Sequence, residues 1–223
     1  MAGPTVTLAA YENPGGLLPR DAPRLRDEAR RRLSSPVNVR VSLWWVEVLV
    51  FRGLERGEAV ALGGALGLGR LIRFRVGEPE PPPDTPAMAA YRMLLVENRF
   101  WEAHVVGEHV WRLLGLNWAR SLAVVPGALA RAQEGYPEPG LEMLRRSREW
   151  LAVEGLDGLV DWPAARRELW RVYREGWGWL LPAVEPLVGH VERLLAEAPQ
   201  RAPPGKVEES VLGHEHPVGA EAG

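Results

Sequence analysis

Between Gly77 and Pro86 the chain reads GEPEPPPDTP. A proline fixes its own φ and has no N–H to give, so neither a helix nor a central strand runs through such a stretch. It reads as a semi-rigid, extended connector. The charge balance also changes there. Residues 1–78 hold 12 arginines against 8 acidic residues, and residues 79–223 hold 15 Arg+Lys against 21 acidic residues. The chain therefore divides into a small first unit (1–78), a linker (79–86), a second unit (87–198) and a tail (199–223) rich in Pro, Gly and charge that is expected to be disordered.

In the first unit, DAPRLRDEARRRLSS predicts a short helix with Asp21 at its N-cap and Pro23 near its start. VNVRVSLWWVEVLVF sets Val37, Val39, Val41, Leu43 and Trp45 on one side and Asn38, Arg40 and Ser42 on the other, the period of a half-buried strand. RLIRFRVGE repeats it, with Ile72, Phe74 and Val76 opposite Arg73 and Arg75. ALGGALGLG, between them, is too rich in glycine to be expected as a helix. The expectation is a small antiparallel sheet with one helix.

The second unit reads as six helices. Thr85 and Pro86 open one to about Glu97, and Arg99–Leu114 forms the next, stopped by Gly115. Asn117 caps a third that bends or breaks at Pro126 and stops at Gly135. A fourth runs from near Pro139 to Gly155. Asp161 and Pro163 open a fifth, ending near Gly176, and Pro182–Ala198 forms a sixth. GWGW, from Gly176, reads as a packing corner between the last two. Short connections favour antiparallel neighbours. The fold class is mainly α: an antiparallel helical bundle preceded by a small β-containing (α+β) unit.

The most informative polar feature is ENRFWEAHVVGEHVWRLLG, Glu97–Gly115. On a helical wheel with His104 at zero, Glu108 falls at about 40° and Trp111 at about −20°. His104 and Glu108 thus lie one turn apart at the edge of the apolar stripe, flanked by Phe100 and Trp111, and Gly107 lets a neighbouring backbone approach. Three readings stay open. The pair can hydrogen-bond structurally at the rim of the bundle. It can supply an imidazole and a carboxylate to a divalent metal or a proton transfer, with Asp157 and Asp161 as the nearest acidic candidates for further ligands. It can line a ligand pocket.

The same stretch resembles domain-of-unknown-function family 309, a small helical family marked by His-x-x-x-Glu-x-x-Trp/Tyr. LVENRFWEAHVVGEHVW supplies Phe100, Trp101, Glu102, Ala103, His104, Glu108 and Trp111 in register. The following WARSLAVVPGALARAQEGYPEPGLEMLRRSREWL is similar to the family's second helix pair, so the resemblance covers roughly residues 88–160. It implies a helical fold without an established activity, with metal binding suggested for the His and Glu. The chain departs from the pattern at Val105, commonly Glu in the family, which removes one ligand or proton acceptor.

Other function classes are narrowed by what is missing. The chain has no cysteine, which excludes disulfides, thiolate nucleophiles and Cys-based zinc sites. There is no HExxH, P-loop or GxSxG, and Gly67-Leu68-Gly69 lacks the rest of a dinucleotide fingerprint. The run Arg24, Arg26, Arg30, Arg31, Arg32, with Arg40, Arg70, Arg73 and Arg75, is interrupted by Asp27 and Glu28, and no nucleic-acid motif accompanies it. It reads as a solvated charged face, not a nucleic-acid surface. The N-terminus has no signal-peptide pattern and no apolar run is long enough for a membrane span, so a cytoplasmic location is expected. Only Lys206 among the 27 basic residues is lysine, and with 20 prolines this composition suits a thermophilic source. Trp44-Trp45 would put one ring outward, and the HEH of His214–His216 sits in the tail. The functional expectation is a non-enzymatic binding or scaffold module of unknown biochemical role that self-associates into a homo-oligomer through tryptophan-rich surfaces. The alternative is a metal-dependent hydrolase using His104 and Glu108.

Overall fold

The computed structural model describes residues 5–77 and 86–197. The expected linker, apart from Pro86, and the expected tail lie outside the described residues.

The first unit is a four-stranded antiparallel sheet of order β2-β3-β1-β4, formed by β1 (Thr7–Glu12), β2 (Val37–Val41), β3 (Trp45–Val50) and β4 (Leu71–Val76). VNVRVSLWWVEVLVF is therefore two strands, not one. The turn is closed by the Ser42 N–H donating to the Trp45 carbonyl at 2.8 Å. Val37, Val39 and Val41 pack with Val46, Val48, Val50, Ala9 and Tyr11 beneath Ala22, Leu25 and Ala29 of α1 (Ala22–Leu33).

A second helix, α2 (Arg56–Ala65), covers the same face and overturns the one-helix expectation. Two interactions offset its poor intrinsic propensity. Glu58 accepts from the Glu55 N–H at 2.8 Å and caps the start. Gly63 lies against the Tyr11 ring, where an added Cβ would sit 2.5 Å from Cε1, while the Tyr11 hydroxyl donates to the Ala59 carbonyl at 2.8 Å. Here glycine is what lets the helix reach the sheet.

The second unit contains α3 (Ala87–Val96), α4 (Phe100–Leu114), α5 (Ser121–Gln133), α6 (Pro137–Val153), α7 (Trp162–Glu175) and α8 (Leu181–Glu197). Their apolar faces form a core separate from that of the first unit. Helix α5 continues unbroken through Pro126, against the expected break. Pro126 has no N–H for the Leu122 carbonyl four residues earlier. The Tyr91 hydroxyl supplies the donor instead, at 2.8 Å, and burial pushes the Tyr91 pKa up, so its proton stays in place. None of the described helices is long and apolar enough to cross a membrane.

The second face of the sheet is not solvated. It packs on the helical unit, so of the strand positions expected to face water Arg40 and Ser42 are buried between two layers, and Asn38, Arg73 and Arg75 are partly covered. The hairpin tip docks through the Leu43 N–H on the Gly176 carbonyl at 2.9 Å, and Arg26 donates to the Tyr136 hydroxyl. Valines and other apolar residues fill the face under α1 and α2, and the face between the units carries Arg40, Glu47 and Arg73 beside the buried Leu8 and Leu49.

Candidate functional site

Arg40, Glu47, Ala10 and Arg73 are paired in one row across β2, β3, β1 and β4. Ala10 is small, so Arg73 reaches over it and places Nη2 3.0 Å from Glu47 Oε2. Arg40 pairs with Glu47 on its own sheet, and its Nε lies 3.1 Å from Glu134 Oε1 at the end of α5. The pairs continue on both sides: Glu134 to Arg131 at 2.7 Å, Arg73 to Glu102 at 3.0 Å, Glu102 to Arg99 at 2.5 Å and Arg99 to Glu97 at 2.8 Å.

The result is one chain of alternating charge, Arg131–Glu134–Arg40–Glu47–Arg73–Glu102–Arg99–Glu97, that joins the two units. Glu47, Glu134 and Glu102 each stand between two guanidiniums, which offsets the cost of removing them from water. Burial of Glu102 acts to raise its pKa. The Arg99 hydrogen bond, with the charges of Arg73, Arg99 and Arg75, outweighs it and holds the carboxyl below its usual range. A carboxylate held this way is a poor general acid near neutrality. Sequence inspection missed this chain, although a glutamate at the centre of WVEVLV was a signal that the second face of that strand is also covered.

The expected site residues are set around the chain's inner end. The Trp101 ring lies under the Arg40 guanidinium, 4.5 Å from Cζ to the ring centroid, and stacks on His104 at 4.9 Å and 24°. His104 Nδ1 is 2.9 Å from the Ala123 carbonyl. A carbonyl only accepts, so Nδ1 carries the proton. The structural pair of His104 with Glu108 is not found. The imidazole serves the α5 backbone beside Pro126, and Glu108 points to Arg112 at 3.3 Å. Gly107 is where α4 and α5 meet: a Cβ there would lie 2.5 Å from the Leu122 carbonyl carbon. Phe100 is fully buried. Trp111 is half-buried at the rim, 5.0 Å beneath Arg120.

Asp157 and Asp161 serve the start of α7. The Asp161 carboxylate accepts from the Ala164 N–H, and the Asp157 carbonyl accepts from Trp162 Nε1, both at 2.9 Å. Among the described residues no three His, Asp or Glu side chains are grouped to hold a metal ion. With Glu108 turned to Arg112 and Asp157 and Asp161 engaged at the start of α7, the carboxylates expected beside His104 do not form a set that fits a divalent metal. Of the arginines read as a solvated face, Arg40 and Arg73 point into the interface, and Arg31 and Arg32 pair with Glu28.

The outer end of the charge chain opens into a groove of ≈ 470 Å³ lined by Ala10, Trp44, Trp45, Ile72, Arg73, Glu97 and Arg99. Apolar side chains stand exposed there, Trp44 at 55% and Ile72 at 47%. Asn98, in a left-handed conformation, accepts from the Gly178 N–H at 2.6 Å and ties this edge to the α7–α8 corner, where Trp179 is 52% exposed. The groove thus has a fixed charged floor and an aromatic rim, which suits contact with another surface more than covalent chemistry. Comparison with models of known families, with curated proteins and with solved structures finds no match.

Proposed function

We propose that the chain is a non-enzymatic binding module, cytoplasmic and self-associating, in which the aromatic rim around Trp44 forms the contact between two copies. The observation that carries this reading is the exposure of Trp44, Ile72 and Trp179 beside a groove whose charges are already paired with one another. Exposed apolar side chains of this kind suit an interaction site, and a symmetric pair of copies can bury them without leaving a charge uncompensated. The ion-pair chain would suit a protein working at high temperature. Membership of family 309 is part of the same reading, supported by Phe100, Ala103, His104 and Trp111 standing on one helix in the expected register.

The alternative, a hydrolase using a divalent metal at His104 and Glu108, has one supporting feature. Donation from Nδ1 leaves Nε2 as the acceptor, as in metal-binding histidines. It lacks partners, because Glu108 is turned to Arg112. Sedimentation velocity of the full chain tests the first reading. The wild type should form a dimer in the micromolar range, and Trp44→Ser with Ile72→Lys should be monomeric with an unchanged circular dichroism spectrum. A wild type that stays monomeric at every concentration, or a variant that still dimerises, defeats it.

A further inference from the structure

The helices α6 and α7 enclose a second groove, of ≈ 810 Å³, that shares no lining residue with the Trp44 groove. Its apolar part is Leu141, Leu144, Trp162 and Trp170. Trp162 is held by its bond to the Asp157 carbonyl, and Trp170 meets Tyr173 edge-on at 5.9 Å. Both rings are therefore positioned before any ligand arrives.

Charge is distributed unevenly along this groove. Glu138 and Glu142 line it from the first turns of α6, and Arg148 lines it about 15 Å further along from Glu138. Arg145 is neutralised by Glu142 and Glu149. Arg148, Arg166 and Arg167 line the groove, are exposed, and have no carboxylate within ion-pair distance among the described residues. Three uncompensated guanidiniums next to two fixed indoles attract carboxylates and apolar side chains together.

We propose that this groove binds an acidic peptide segment of a partner protein, with apolar side chains on Trp162 and Trp170 and carboxylates on Arg148, Arg166 and Arg167. A peptide fits better than a single-stranded nucleic acid. A polynucleotide carries a phosphate at every step and would meet repulsion at Glu138, which has no cationic partner among the described residues, whereas a peptide can place a neutral or basic residue there. The proposal rests on the reading of the chain as a binding module, and makes no use of the Trp44 face.

Selection of displayed random peptides of about 12 residues on the immobilised full-length chain tests it. Enriched sequences should combine aromatic or aliphatic residues with Asp or Glu. A fluorescent enriched peptide should lose roughly tenfold or more in affinity, about 1.4 kcal/mol, on Arg148→Glu/Arg166→Glu, a change that leaves the melting temperature as in wild type because both side chains are exposed. Trp44→Ser should bind it as wild type does. Absence of enrichment, enrichment without acidic residues, equal binding by the arginine variant, or tighter binding of an oligothymidylate each overturns the proposal. If peptide binding fails while the wild type still dimerises through Trp44, only the groove assignment falls; if both fail, the binding-module reading falls with it.

Discussion

Arg40 in β2 and Glu134 at the end of α5 are 94 residues apart in sequence and form an ion pair at 3.1 Å with side chains 1% and 4% exposed. Arg40 also holds Glu47, so replacing it with Met leaves each of these buried carboxylates with a single guanidinium, Arg73 for Glu47 and Arg131 for Glu134. Breaking a buried pair in this way costs about 3–5 kcal/mol. Because the pair joins the two units, wild-type unfolding should be a single transition, with far-ultraviolet dichroism and tryptophan fluorescence coinciding. Two separate wild-type transitions, or an Arg40→Met variant as stable as wild type, would refute the coupling.

Tyr91 and Pro126 should be coupled through the Leu122 carbonyl. Tyr91→Phe removes the hydroxyl that takes the place of the missing N–H and should cost about 1–3 kcal/mol. In a Pro126→Ala background the helix recovers its own donor, so the same change should cost about 1 kcal/mol less. Urea denaturation of the four proteins measures the coupling, and additive effects would show that the hydroxyl does not serve this carbonyl.

The pH dependence of Glu102 has a definite sign. Its folded pKa lies below the ordinary value of 4.5. The stabilisation is therefore complete above that value and lost as pH falls through the lower folded pKa. Glu102→Gln should be less stable than wild type at pH 7, by about 1.5–3 kcal/mol for hydrogen bonds to charged groups. The gap should close in acid, where the wild-type carboxyl is itself neutral. A difference that stays constant from neutral pH into the acid range would show that Glu102 contributes nothing through its charge.

Gly107→Ala opposes two effects. Alanine favours the α4 helix by up to about 1 kcal/mol, but its Cβ meets the Leu122 carbonyl across the contact with α5. Overpacking of this kind costs about 1–3 kcal/mol, and here the obstacle is backbone, which cannot rotate away. A lowered melting temperature is expected, and a raised one would mean that the two helices separate at little cost.

His104→Gln keeps a donor near the Ala123 carbonyl and should cost about 1 kcal/mol. Zinc or manganese should leave the melting curve of a His214→Ala/His216→Ala chain unchanged, the tail histidines having been removed as competing ligands. A metal-dependent rise that disappears when His104→Gln is added would restore the metal reading.

Local chemistry in the sequence placed the helices of the second unit. Gly115, Gly135, Gly155 and Gly176 all adopt positive φ at or just beyond helix ends. Pro163 stands in the first turn of α7, and Asp161 caps that helix with its own carboxylate, while α6 begins at Pro137, two residues before Pro139, and Asn117 opens a 3-10 turn ahead of α5 without capping it. These signals are readable because each involves only neighbours along the chain. The alternation in β2 was equally local and identified a face, but could not tell what would cover it. Arg40 looked solvated because its partner Glu134 is 94 residues away, and His104 looked paired with Glu108 because that is the nearest carboxylate on its helix face. The course of α5 through Pro126 depended on Tyr91, and the formation of α2 through Gly63 depended on Tyr11. In each case the sequence determined a propensity or a face, and a group brought close only by the tertiary fold decided the outcome, because hydrogen bonds, ion pairs and close packing act over a few ångströms of space whatever the distance along the chain.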